Sequence, residues 1–411
     1  MARRVYLHIG TMKSGTTYLQ SWLDQNTQRL AEQGLLWTRS DRIFRATDDL
    51  FGLQKTRPNL GGAWSAMKER LDSHSGDALI SNELLAAIAP KKVARLMTAL
   101  RPAEAHVIIT ARDLARVVPS QWQTAMRNRS TVTWSQCIQD ICTNDQREGS
   151  SFDWFWNRQD VPGTIQTWAE HVPLDRISVV TVPPSRTPPT VLGDRFCSVL
   201  SIDPTDFEET STANTSLGAH SAELLRRVNV GITHFDWSHY QWGVKNGLGR
   251  RVLEGRANQE PVISLTQSQH DAVRAAAVAM VDRLRGLDVE VVGSLDDLVP
   301  GREAYGTPAD PGDASDGELL AVALDGLVGL GEILADLRIE ADQLARLTAR
   351  LVSREEQRLA VEAGHPAPPA MSAGDAMGNK AALLERIEAL LETNRAPRRR
   401  GGKRKRSAET S

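Results

Sequence analysis

Cysteine is scarce in this chain of 411 residues, which has only Cys137, Cys142 and Cys197. An odd number of cysteines without a Cys-x-x-Cys pair argues against a disulfide framework and against a zinc cluster. We therefore expect free thiols, no bound metal ion and a reducing, cytoplasmic compartment.

Long apolar runs are also missing. No stretch approaches the roughly 18 uninterrupted apolar residues of a membrane span, and the apolar run after Arg3 and Arg4 is too short for a signal peptide. The 49 Lys and Arg residues nearly balance the 51 Asp and Glu residues, which gives a net charge of −2. This balance argues against nucleic acid or a membrane as the partner of the whole protein.

Short apolar runs rich in β-branched residues recur through the first 300 residues. Such runs are typical of strands buried on both faces of a parallel sheet. Segments with helical spacing lie between them, so we predict an α/β fold with ligands at the carboxyl ends of the strands. The predicted strands are Val5–Ile9, Ala78–Ile80, His106–Thr110, Ile177–Val182 and Val289–Val292. The predicted helices are Thr16–Gln33, Pro90–Leu100, Leu114–Arg127, Gly163–His171, Ser221–Val230 and Thr266–Leu284.

The composition changes after residue 300. We predict a main domain at 1–300, a linker at 301–317, a helical, coiled-coil-like segment at 318–360, and at 361–411 a low-complexity linker, a short helix and a basic, disordered tail. The heptad stripe consists of Leu320, Ala323, Leu327, Leu330, Leu334, Leu337, Ala341, Leu344 and Leu351. This stripe predicts either self-association or packing onto the main domain. The basic tail is expected to be solvated or to touch an anionic surface, with no specific nucleic-acid site.

A loop bounded by glycines follows the first predicted strand. It reads Gly10-Thr-Met-Lys-Ser-Gly-Thr-Thr17 and leads into a predicted helix. Free backbone N–H groups at such a loop and helix N-terminus bind anions. The loop has the glycine spacing of a Walker loop, but Thr16 stands where that loop has its lysine, and a lysine occurs earlier, at Lys13. Lys13 could therefore reach a bridging oxygen that gains charge during group transfer.

The segment Tyr6–Gln20 resembles the 5′-phosphosulfate-binding loop of the sulfotransferase superfamily, P-K-[ST]-G-T-T, in the form common among bacterial members. Met12 stands where the family often has proline. The resemblance implies a P-loop-NTPase-like sheet flanked by helices, followed here by a helical and partly disordered extension. It also implies 3′-phosphoadenosine-5′-phosphosulfate as sulfuryl donor, with no metal. The residues that would hold the 5′-phosphosulfate are Lys13, Ser14, Gly15, Thr16 and Thr17.

A second motif follows the strand His106–Thr110. Arg112 and Ser120 are eight residues apart, the spacing of the pair that binds the donor's 3′-phosphate in sulfotransferases. An arginine at the carboxyl end of a strand offers a forked, permanent cation to a phosphate. The alternative is that Arg112 only pairs with Asp113 or another nearby acid.

The acceptor needs a general base, and Glu83 directly follows a predicted strand. We predict Glu83 as this base, or alternatively as an acid at a helix N-terminus. His8 is expected to be a core histidine. Aromatic residues at Trp134, Phe152, Trp154, Phe155, Trp156 and Trp168 are expected in the core, or less favourably against an acceptor.

These patterns favour transfer of a sulfuryl group to a hydroxyl or amine of a carbohydrate, lipid or small molecule, with catalytic residues Lys13 and Glu83. Two alternatives stay open. A P-loop small-molecule kinase would need a lysine at position 16 and a carboxylate for Mg²⁺. A non-catalytic nucleotide-binding protein would act through the C-terminal heptads.

Overall fold

The computed structural model describes residues 2–53, 58–143, 151–185, 187–188, 190–210, 216–304, 306–366, 369–370 and 380–395. Six strands form one parallel sheet in the order β2-β3-β1-β4-β5-β6. The strands are β1 (Arg4–His8), β2 (Leu35–Trp37), β3 (Asp77–Ser81), β4 (Glu104–Ala111), β5 (Ile177–Thr181) and β6 (Glu290–Val292). The α/β class with a parallel sheet is confirmed.

Helices flank the sheet, because neighbouring parallel strands need long crossover connections. In chain order they are α1 (Thr16–Gln25), α2 (Thr27–Glu32), α3 (Ser40–Leu50), α4 (Ala63–Ser73), α5 (Pro90–Leu100), α6 (Leu114–Arg127), α7 (Trp134–Cys142), α8 (Ser151–Gln159), α9 (Val161–Ala169), α10 (Thr190–Leu200), α11 (Ala219–Gly231), α12 (Trp237–His239), α13 (Gln267–Arg285) and α14 (Asp316–Ala363). A π-helical stretch, Tyr240–Val252, continues α12, and a further helix covers Lys380–Arg395.

Five of the six strands coincide with predicted strands. The edge strand β2 was not predicted, because three residues are too few for a periodic pattern. Its register is set by pairing with β3, Leu35 opposite Asp77 and Trp37 opposite Leu79. The predicted helix Thr16–Gln33 is wrong as one element. It divides at Asn26, whose side chain donates to the carbonyls of Trp22 and Glu208.

The core lies on both faces of the sheet. In β1, β3, β4 and β5 the central side chains are almost fully buried, as expected for parallel strands covered by helices. Trp134, Phe155 and Trp168 are also buried, which confirms the core interpretation for these three rings. The side chain of Phe152 lies outside the described residues. All three cysteines are free thiols.

The chain divides into two compact units, Met1–Gly326 and Leu327–Ser411. Helix α14 begins in the first unit, where Leu319 and Val322 are buried and Gly326 contacts Leu248. A Cβ at Gly326 would lie 3.1 Å from Leu248 Cδ1, so the glycine permits this close packing. The domain bounds at residues 300 and 317 stay predictions, and the predicted tail beyond residue 395 lies outside the described residues.

In the second unit, Ala349 and Val352 of α14 pack with Leu383 of the helix Lys380–Arg395. Other apolar residues of α14 are exposed, among them Leu327, Leu334, Leu337, Leu344 and Leu351. Within the described part of the chain, no helix combines the length and apolar character needed to cross a membrane.

Candidate functional site

A cavity of about 570 Å³ opens at the carboxyl ends of the central strands β1, β3 and β4. Four separate chain segments that the sequence singled out meet there: the loop after β1, the end of β3, the end of β4 and helix α6. Seven of the eight predicted site residues line it. The lining residues are Met12, Lys13, Gly15, Thr16, Thr17, Glu83, Arg112, Ala115, Arg116, Pro119, Ser120, Gln123, Arg127, Ser216, Val262, Ile263, Ser264, Leu265 and His270.

The loop after β1 adopts left-handed backbone angles at three positions. Gly10 has φ 102°, Lys13 φ 66° and Gly15 φ 87°, and only the glycines take such angles at no steric cost. The loop is tied to β4 by the N–H of Thr11 donating to the carbonyl of Thr110 at 2.7 Å. Helix α1 starts directly after Gly15, so its first N–H groups lack intrahelical partners and can meet an anion in the cavity.

Ser14 is the predicted site residue whose side chain does not line the cavity. It is fully buried, and its hydroxyl bonds to the carbonyl of Thr11 at 2.5 Å and lies 2.6 Å from Thr110 Oγ1. Its hydroxyl therefore holds the loop in shape. Ser14 as a residue that holds the 5′-phosphosulfate stays a prediction, and in this structure its hydroxyl faces Thr11 and Thr110 rather than the cavity.

Arg112 joins the end of β4 to the loop, because its Nη1 donates to the carbonyl of Lys13 at 3.3 Å. Asp113 is engaged elsewhere: it accepts from the N–H of Ala115 at the start of α6 and from Arg116 Nε at 2.9 Å. Arg116 also donates to the carbonyl of Pro183. Arg112 lines the cavity together with Ser120.

Glu83 begins a helical turn directly after β3, and Asn82 caps this turn by accepting from the N–H of Leu84. Glu83 packs on the loop so closely that a Cβ on Gly10 would lie 3.1 Å from its Cα. Its Oε2 is buried and accepts no hydrogen bond from the described residues. Burial raises the pKa of this carboxyl, while Lys13 and Gln20 act in the opposite direction. Glu83 therefore places a carboxyl with a raised pKa at the cavity wall.

Lys13 lies among charges of both signs. Burial, together with the charges of Arg127 and Arg112, lowers its pKa to about 8, although Glu83 and Glu254 act in the opposite direction. A buried ammonium beside two guanidinium groups is stabilised when an anion enters between them. The electrostatic environment of the cavity therefore favours binding of an anion.

One face of α6 forms a wall of the cavity. Arg116, Ser120, Gln123 and Arg127 line it at spacings of four, three and four residues, which places them on one side of a helix. Arg127 was not predicted, although this spacing from Ser120 could have identified it. Its guanidinium pairs with Glu254 at 2.9 Å. Val262–Leu265 and His270 form a second wall of the cavity. No motif in the sequence identified these residues as part of a site.

His8 is buried below the loop and is not a cavity residue. Its ring nitrogens lie 2.8 Å from Ser81 Oγ and 3.1 Å from Thr110 Oγ1, so it connects the three central strands. Burial lowers its pKa to about 3. The expectation of a core histidine with satisfied hydrogen bonds is confirmed.

No family model matches the chain, and no curated protein matches it. Among solved structures, the chain is similar to a sulfotransferase from Alicyclobacillus acidocaldarius, with 14% sequence identity and a TM-score of 0.36. The similarity covers 59% of this chain and 100% of that chain. At this level of similarity, function has to follow from the geometry of the site itself.

Proposed function

We propose that this protein is a sulfotransferase that moves a sulfuryl group from 3′-phosphoadenosine-5′-phosphosulfate to an acceptor hydroxyl. The observation that carries the proposal is the meeting of Lys13, Glu83, Arg112 and Ser120 in one cavity. These residues come from four segments of the chain. They combine an anion cradle, a second phosphate site and a proton acceptor, which are the groups that this reaction needs.

The two ends of the donor fit two parts of the cavity. The first N–H groups of α1, the hydroxyls of Thr16 and Thr17, and Lys13 suit the 5′-phosphosulfate. Arg112 and Ser120 suit the 3′-phosphate, since the guanidinium is a permanent cation and the hydroxyl adds a hydrogen bond. Because Arg112 also donates to the Lys13 carbonyl, the two halves of the donor site are held in a fixed relation.

The transfer step then needs little further chemistry. Glu83 accepts the proton of the acceptor hydroxyl as the new oxygen–sulfur bond forms. The bond between sulfur and the bridging phosphate oxygen breaks in line with it, and the charge on that oxygen is stabilised by Lys13. The raised pKa of Glu83 suits a base, and its buried Oε2 is available to receive the proton.

The kinase alternative has less support. Thr16 replaces the lysine that holds the β- and γ-phosphates of ATP, and the lysine present, Lys13, lies in the left-handed turn before the helix. A thermal-shift comparison tests the two functions directly. Adenosine 3′,5′-bisphosphate should raise the melting temperature more than ATP with Mg²⁺ does, and transfer of ³⁵S from labelled donor to a sugar, lipid or phenol should follow. A larger shift with ATP would reverse the assignment.

We also propose that α14 associates with α14 of a second copy of the chain. The exposed leucines at 327, 334, 337, 344 and 351 repeat at heptad spacing, which is the pattern that packs against a helix of the same pitch. Burying these leucines between two copies removes apolar surface from water, which favours association. A second copy carries the same stripe, so the contact is self-complementary.

A further inference from the structure

The helical stretch 237–252 has an unusual composition and backbone. Its residues include Trp237, Trp242, Lys245, Arg250 and Arg251, and they include no Asp or Glu. From Tyr240 onward the stretch is π-helical. π-Helical backbone is rare and occurs frequently at functional sites. The proposed donor site does not account for the composition or the backbone of this stretch.

The stretch adjoins the cavity beside Arg127. Lys245 donates from Nζ to Oδ1 of Asn128, the residue after Arg127, at 2.7 Å. Glu254, just beyond the stretch, pairs with Arg127 at 2.9 Å. Arg127 itself lines the cavity and acts electrostatically on Lys13, Lys245 and Arg250. Arg127, paired with Glu254, therefore lies between the cavity and the cations of this surface.

Both tryptophans of the stretch are partly exposed, and Trp237 is held in place by its neighbours. Trp237 is 49% exposed and Trp242 is 71% exposed. The Trp237 ring stacks on buried Tyr240 with centroids 5.7 Å apart, and the Tyr240 hydroxyl donates to the carbonyl of Met126 at 3.0 Å. Lys245 Nζ lies 5.7 Å from the Trp237 ring centroid. The ammonium group of Lys245 thus lies over the indole ring of Trp237.

We infer that this basic, aromatic surface (Trp237, Trp242, Lys245, Arg250 and Arg251) binds the acceptor and that the acceptor is an acidic saccharide. Indole faces pack on the C–H faces of sugar rings, and the cations pair with carboxylate, sulfate or phosphate groups on the sugar. Arg127 extends this recognition into the cavity, where a sugar hydroxyl reaches Glu83. The inference rests on the proposed sulfotransferase function and adds its substrate class.

Binding of defined probes at about 50 mM salt tests the inference, since low salt preserves charge contacts. The probes are a fluorescently labelled hyaluronan hexasaccharide, maltohexaose as a neutral saccharide, hexaglutamate as a charged peptide, and a dT6 oligonucleotide. We expect the hyaluronan hexasaccharide to bind most tightly. Lys245→Met and Trp242→Ala should each weaken its binding about 10-fold, whereas Arg95→Ala, which removes an exposed cation on α5, should not.

Each other outcome overturns the inference in a distinct way. Equal binding of hexaglutamate would mean that charge alone is recognised, and equal binding of maltohexaose would mean that charge is not. Tighter binding of dT6 would identify a nucleic-acid surface instead. Binding that is absent, or unchanged in both variants, would exclude this surface. The melting-temperature shift with adenosine 3′,5′-bisphosphate separates this failure from failure of the proposed function, because it reports the donor site alone.

Discussion

Arg112 Nη1 donates to the carbonyl of Lys13 at 3.3 Å and so connects the end of β4 with the loop after β1. The two residues are 99 positions apart in the chain. The hydrogen bond joins the parts of the cavity to which we assign the 3′-phosphate and the 5′-phosphosulfate. Changes at either residue should therefore affect the same ligand.

Arg112→Ala should abolish most of the melting-temperature shift that saturating adenosine 3′,5′-bisphosphate produces. Loss of a charged donor to phosphate costs about 1.5–3 kcal/mol, which corresponds to roughly a 10- to 100-fold weaker affinity. Differential scanning fluorimetry with and without the ligand measures this. Arg95→Ala, a change at an exposed arginine on α5, is the control and should keep the full shift. A full shift in Arg112→Ala would remove Arg112 from the site.

Glu83→Gln should reduce turnover about 100-fold or more while leaving donor affinity nearly unchanged, because the amide no longer accepts a proton. The wild-type rate should also fall as the pH drops through the raised pKa of Glu83, since only the ionised carboxylate is a base. This acid limb should disappear in Glu83→Gln. Steady-state rates between pH 5 and pH 8 show both effects. Wild-type turnover in the variant would exclude Glu83 as the base.

Affinity for adenosine 3′,5′-bisphosphate should decrease as the pH rises above about 8, the pKa to which burial and nearby cations lower Lys13. Above that pH the ε-amine loses its proton and its charge, so attraction for the anion falls. Titration calorimetry between pH 6.5 and pH 9.5 measures the change. Lys13→Met should bind more weakly at low pH and lose this pH dependence. An unchanged pH dependence in Lys13→Met would assign the effect to another group.

His8 makes the fold sensitive to acid. Its folded pKa of about 3 lies below the ordinary value of 6.5, so between these values the unfolded chain binds a proton that the folded chain does not. The free energy of unfolding should therefore fall with decreasing pH below 6.5, by up to about 1.4 kcal/mol per pH unit. Urea unfolding at pH 7 and pH 5.5 tests this. His8→Gln, which keeps a hydrogen-bonding side chain, should show a smaller fall. The same fall in both proteins would contradict the assignment.

Self-association of α14 should depend on its leucine stripe. Sedimentation velocity should detect a dimer of the wild-type chain, and Leu334→Glu with Leu344→Glu should leave single copies, because buried carboxylates oppose packing. Ile339→Glu is the matched control. It adds the same charge at an exposed residue of the same helix but off the stripe. A wild-type chain that stays monomeric at micromolar concentration would refute the proposal.

The sequence by itself is enough to predict most of the sheet and seven of the residues that line the cavity. Continuous β-branched runs predict buried parallel strands, and parallel strands bring their carboxyl ends to one edge. This is why Lys13, Glu83 and Arg112, each just after a strand, could be expected near one another. The cavity-facing side of α6 can also be recognised from the sequence, because residues three and four positions apart lie on one side of a helix. Arg127 has this spacing, although it was not predicted.

Only the tertiary structure decided which way each side chain points and what surrounds it. The Ser14 hydroxyl turns inward to Thr11 and Thr110, and Thr110 lies 96 positions away in the chain. Strand β2 exists only by pairing with β3, and the surface around Trp237 and Lys245 meets Arg127 only through long-range packing. Burial and the pKa changes of Lys13, Glu83 and His8 depend on neighbours remote in the chain. Local sequence patterns do not reveal those neighbours, because desolvation and charge–charge interactions act through space.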